Sequence, residues 1–235
     1  MNLLTIILGF LPGLAWLFFF LQEDSAHPEP KRLIIYTFII AGLITIPALA
    51  AEFLFEDLII NINWGNKILA VFFGLAAIEE FFKFAAVYLF IKRNREFNEP
   101  LDAMVYMITG ALGFATVENI AVLGNVFNNA PLGFFLETSV KTLSLRFIGA
   151  TLLHALASAI IGYYWAVGIL VKKEKMHIWG GLIIAILIHS AFNLLIMRFE
   201  NVSLFYPTLF LMIIAFFIFA DFEKIKKREE KAEIY

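Results

Sequence analysis

The chain has 235 residues, of which 61% are hydrophobic and only 16% charged, and its mean hydropathy is +0.84. Soluble domains carry about a quarter charged residues, so this composition excludes a soluble enzyme, and no polar stretch is long enough for a separate soluble domain. The formal net charge is −2 and cysteine is absent, which excludes a disulfide framework and thiolate metal or redox chemistry; no nucleic-acid partner is expected.

A membrane-crossing helix needs about 20 mostly apolar residues. Such segments fall at about 2–21, 33–55, 67–91, 101–125, 138–171, 177–197 and 203–221. Only helices and closed barrels satisfy their backbone in lipid, and these runs are too long and too continuously apolar for barrel strands. The expected fold is all-α: a polytopic transmembrane bundle of about seven spans. One domain is expected over 1–221, with its core at about 67–200, and a charged cytoplasmic tail over 222–235. The first segment has no Lys or Arg ahead of it, unlike a secretory signal, and reads as a retained membrane helix. The fifth is long, and either tilts or begins as an interfacial helix. The stretches FEDLIININWGN and NVFNNAPLGFFLETS mix apolar, Asn, Gly and aromatic residues and read as loops or helices at the interface.

Cytoplasmic loops are enriched in Lys and Arg. The connections after the first, third, fifth and seventh segments hold 13 of the 18 basic residues, from Lys31 and Arg32 through to Lys231. The opposite side has Lys67, Lys141, Arg146 and Arg198. Seven spans with this bias put the N-terminus outside and the C-terminus inside, in a multi-pass protein of a prokaryotic cell membrane.

The segment AIEEFFKF, residues 77–84, sets Glu79, Glu80 and Lys83 inside an apolar run. A charge at a helix centre costs roughly 2.5–3.5 kcal/mol. With Glu118 in the fourth segment, four ionisable groups would cost on the order of 10 kcal/mol if charged and unpaired, so they must meet one another or a wet cavity. Asn119, His154, His189 and Asn193 complete the intramembrane polar set, and Arg146 near a helix end reads as an interfacial anchor. At 1.5 Å per residue, Glu79 and Glu80 lie roughly 18–20 Å below the outer end, Glu118 about 10 Å, His154 roughly 20 Å and His189 about 12 Å. Small residues at spacing four flank both histidines: Ala150, His154, Ser158 and Gly162, then Gly181, Ala185, His189 and Asn193. Such seams let helices approach closely in lipid and place both histidines inside the bundle.

Each group has a structural alternative. Glu79, Glu80 and Lys83 could form an ion pair alone, but one lysine leaves a carboxylate over, and adjacent buried carboxylates suit general acid–base work. Glu118 and Asn119 could be a helix-packing hydrogen bond. His154 is evenly balanced, whereas His189 with Asn193 one turn away can address one ligand.

In order and context, these residues resemble the PrsW family of intramembrane proteases. The resemblance rests on Glu-Glu-x-x-Lys at 79–83, PLDAMVYMITGALGFATVENI at 100–120, HALASAIIGYYWA at 154–166 and HSAFN at 189–193. More distantly it extends to the CAAX-protease and bacteriocin-processing superfamily. Phe81 stands where PrsW proteins often have a third acidic residue. The resemblance implies a peptidase that hydrolyses a peptide bond of a membrane-anchored protein near the outer face, in the named member an anti-sigma factor. The expected catalytic set is Glu79, Glu80, Glu118, His189, Asn193, His154 and Lys83. In the version favoured at this point a glutamate activates the water without a metal. A metal-dependent version would use Glu79, Glu118, His154 and His189 as zinc ligands, although no HExxH motif is present. A proton- or cation-coupled transporter is the rival from another class, and a non-enzymatic scaffold the plainest one.

Overall fold

The computed structural model describes residues 3–25, 27–61, 67–130, 133–199 and 204–233. Every regular element among them is helical: α1 (Leu3–Phe20, continued by a 3₁₀ turn Leu21–Asp24), α2 (Lys31–Asn61), α3 (Lys67–Ile91), α4 (Asp102–Asn129), α5 (Phe135–Arg146), a π turn (Phe147–Thr151), α6 (Leu152–Leu170), α7 (Glu174–Phe199) and α8 (Phe205–Glu233). Six stretches are long and apolar enough to cross a membrane: α1, α2, α4, α5 with α6, α7 and α8. At 25 residues α3 has the length, but Glu79, Glu80 and Lys83 sit so near its middle that no membrane-length window avoids them. The expected helical bundle is therefore present, with the third segment as its polar member.

α4 runs through the centre, packed by α1, α2 and α6. From Asp102 to Thr116 every residue of it is buried. That is possible because α4 and α6 supply small residues where they touch. A Cβ on Gly162 of α6 would come within 2.6 Å of Met104 Cα, so only glycine permits this crossing. Gly113 lies against the Phe38 carbonyl of α2 in the same way. The outer surface is apolar, with Leu3, Phe18, Phe53, Leu54, Leu89 and Phe216 all more than 70% exposed, as lipid-facing helices require.

The long fifth segment is broken. The π turn at Phe147–Thr151 disturbs the backbone ladder, and Trp16 Nε1 of α1 donates to the Phe147 carbonyl at 2.9 Å. π turns concentrate at functional sites, and this one adjoins the polar cluster. α2 remains helical through Asn61, so the first half of the FEDLIININWGN stretch continues a membrane helix; residues 62–66 lie outside the described residues. α8 likewise continues to Glu233. Phe222 and Ile225 are fully buried, Lys226 pairs with Glu23 at 2.8 Å, and Glu229 accepts a hydrogen bond from the Leu101 backbone N–H. The first two turns of the charged tail are thereby docked on the bundle.

Candidate active site

Helix geometry turns adjacent residues about 100° apart, and this separates the two glutamates of α3. Glu80 is fully buried. Its Oε1 accepts from Lys83 Nζ at 2.6 Å and from His189 Nδ1 of α7 at 2.7 Å. Glu79 points to a different set, its Oε2 lying 3.7 Å from His154 Nδ1 of α6, 3.8 Å from His189 Nε2 and 3.9 Å from Lys83 Nζ. Glu79 Oε2 and Glu80 Oε2 are buried without a protein hydrogen-bond partner.

The far side of each imidazole is held by a carboxylate. His154 Nε2 lies 2.9 Å from Glu118 Oε2 of α4. Lys83 Nζ donates to His154 Nδ1 at 2.8 Å, so Nε2 carries the proton and donates to Glu118. In His189, donation from Nδ1 to Glu80 leaves the Nε2 lone pair toward Glu79. The two rings stand edge to face, 5.2 Å apart, and Phe114 covers Lys83 and His154 from α4. The four helices that carry the polar set, α3, α4, α6 and α7, thus bring these side chains together, an arrangement the depth estimates allowed.

Arg146 belongs to this group. Its Nη2 is 3.0 Å from Glu118 Oε2, its Nε donates to Asn119 Oδ1, and Asn119 Nδ2 reaches Thr151 Oγ1 at 3.2 Å. The residue read as an interfacial anchor therefore clamps the glutamate that holds His154. Arg146 falls one step of four upstream of the seam Ala150, His154, Ser158, a spacing that fits the clamp but does not by itself tell it from an anchor. Asn119 has the packing role considered for it. Asn193 is half-buried one turn beyond His189 and borders a cavity shared with Arg146. Phe81, in the place of a third acidic residue, is 49% exposed on the outside of α3, on the surface that faces lipid.

Glu79, His154 and His189 each present one donor atom, all within 4.8 Å of one another. Two donors about 2.1 Å from a tetrahedral zinc lie roughly 3.4 Å apart, close to the 3.7 and 3.8 Å seen from Glu79 Oε2. Metal-binding histidines characteristically give their second ring nitrogen to a carboxylate or carbonyl, and both do so here. The donor set fits a zinc-class ion. For His154 to ligate through Nδ1, Lys83 must give up that contact and keep Glu80. Glu118 is not in this set: it lies on the far side of His154 and holds that ring in place.

Residues 29–220 match the family model described as PrsW family intramembrane metalloprotease. Among curated relatives, Protease PrsW of Geobacillus kaustophilus is 28% identical over 207 residues, covering 87% of this chain and 84% of that protein. Protease PrsW of Bacillus subtilis is 24% identical over 196 residues, covering 82% and 83%, and that of Clostridioides difficile is 23% identical over 200 residues, covering 84% and 81%. No solved structure matches the chain. These matches support a peptidase over a carrier or a scaffold, and with most of the chain inside the family model, it belongs to the PrsW family.

Proposed function

We propose that the chain hydrolyses a peptide bond of a membrane-anchored protein, an anti-sigma factor being the leading substrate class, near the outer face of the cell membrane. The observation that carries the catalytic assignment is the convergence of Glu79, His154 and His189, with a carboxylate behind each imidazole. The three donors would hold a zinc ion, which when bound supplies a water acidic near neutral pH and polarises the scissile carbonyl. The same geometry separates the roles of the paired glutamates. Glu80 Oε1 is taken up by Lys83 and His189, so Glu80 orients His189 and balances the lysine. Glu79 Oε2 lies between the two rings without a protein hydrogen-bond partner, where it would serve as the third metal donor. Glu118 fixes the ring of His154, and Arg146 fixes Glu118. Asn193, one turn beyond His189, donates its amide N–H to the developing oxyanion, a contribution of about 3 kcal/mol in comparable sites. Closure by Phe114 and the surrounding helices strengthens each of these interactions by lowering the local dielectric.

Elemental analysis of purified protein, together with cleavage of single-span reporter proteins, tests this reading. One zinc per chain is expected in the wild type. Glu79→Gln, His154→Asn and His189→Asn should lose both metal and cleavage, whereas Glu118→Gln should lower both by about 10–100-fold. Full cleavage by metal-free protein would remove zinc from the mechanism. Equal cleavage by wild type and correctly inserted variants would remove these residues from it.

A further inference from the structure

A cavity of about 540 Å³ lies beyond His189 along α7, between the α5–α6 break, α7 and α8. Its size is that of sites taking drug-sized ligands, roughly 300–1,000 Å³. The walls are mainly apolar, with Ile196 and Leu211 among them, but Arg146 and Asn193 also line it. Two features tie it to the catalytic cluster. Asn193 is four residues, about 6 Å along the helix axis, from His189. Arg146 reaches from the cavity wall to Glu118 at 3.0 Å, and Glu118 holds His154. A third feature opens it: Gly149, on the π turn, presents no side chain, and a Cβ there would meet only the Phe192 ring, at 3.5 Å.

The polar groups favour one occupant. A lipid acyl chain offers nothing to an amide or a guanidinium. An extended polypeptide in an apolar setting brings backbone N–H and C=O groups that need partners. Arg146 has five N–H donors, of which Nε and one at Nη2 serve Asn119 and Glu118.

We propose that this cavity is the specificity subsite of the peptidase, taking a bulky apolar side chain of the unwound substrate beside the scissile bond while Arg146 bonds the adjoining backbone carbonyl. The proposal rests on the peptidase reading above and adds a substrate preference to it. The test uses single-span reporters that differ at one outer juxtamembrane residue, set to Ala, Leu or Phe at successive positions, with products mapped by mass spectrometry. Wild type should cut the Leu or Phe reporter about tenfold faster than the Ala reporter at one position. Gly149→Leu, which fills the cavity, should invert that ratio, and Ile196→Ala should raise the preference for Phe. Ratios unchanged in both variants would overturn the proposal. A photo-cross-linker at position 196 in the Glu79→Gln background gives an independent measure. An adduct with the reporter within a few residues of the cleavage site is expected, and adducts with lipid alone would refute the subsite. Failure of the wild type to cut any reporter would count against the peptidase reading, and the cross-link would still decide what fills the cavity.

Discussion

Lys83→Met removes one half of a buried ion pair. Lys83 and Glu80 are both fully buried, with their charged atoms 2.6 Å apart. At an effective dielectric constant of about 20, unit charges at that separation attract by about 6 kcal/mol before desolvation is subtracted. Removing one partner of a buried pair costs about 3–5 kcal/mol, because the other charge stays behind. Here Glu80 Oε1 retains the His189 Nδ1 contact at 2.7 Å, so the expected loss is at the low end, about 3 kcal/mol. Glu80→Gln leaves Lys83 with His154 at 2.8 Å and Glu79 at 3.9 Å, and should cost a similar amount. The double variant removes both charges, and the cycle should give a coupling of about 2 kcal/mol. Reversible unfolding of the four proteins in mixed detergent micelles measures it. A coupling below about 0.5 kcal/mol would mean that the two side chains do not meet, and the assignment of Glu80 as a positioning residue would fall with it.

Three further outcomes are expected. Glu29, in the α1–α2 connection, hydrogen-bonds Tyr106; burial and then the neighbouring Asp102 carboxyl push its pKa up from 4.5 to about 8. The folded state therefore keeps a proton that the unfolded chain releases, so this contribution to stability is complete below pH 4.5 and is lost as the pH rises toward 8; thermal melts should show that slope, and Glu29→Gln should reduce it, the remainder coming from Asp24 and Glu229, which burial also shifts upward. Gly162→Val drives a side chain into the Met104 backbone, so a loss of more than about 3 kcal/mol is expected, against little change for Gly124→Ala, where the added methyl meets nothing within 4 Å; equal effects in unfolding assays would disprove the close α4–α6 approach. Because the chain has no cysteine, single cysteines can report topology: a membrane-impermeant thiol reagent on intact cells should label position 67 and not position 93, and the reverse pattern would invert the proposed orientation.

The helices were legible because lipid enforces one simple demand, about 20 apolar residues per crossing, and the chain meets it repeatedly. The site was legible for the opposite reason: Glu79, Lys83, Glu118 and His189 stand where charge is costly, so each had to find a partner. Arg146 was harder to place, since an arginine at a helix end can reach water unaided and nothing local distinguishes an anchor from a clamp. The division of labour between Glu79 and Glu80 was out of reach, because it depends on which neighbouring helix each one faces. The docking of the tail was hidden by its charge: Phe222 and Ile225 are two apolar positions in a stretch otherwise dominated by Lys and Glu.

The partners of α3 also impose an order on how the protein is made. Lys83 finds His154 71 positions later in the chain, and Glu80 finds His189 109 positions later. When α3 leaves the ribosome, neither histidine has been synthesised. The Glu80–Lys83 contact, three residues apart within one helix, is the neutralisation already available at that moment. α3 must therefore wait beside the translocon, or against α2 and α4, until α6 and α7 arrive to enclose it. The residues proposed for peptide-bond cleavage are thus also ones whose burial waits on later helices, and changes to them should register in insertion and turnover in the cell as well as in catalysis.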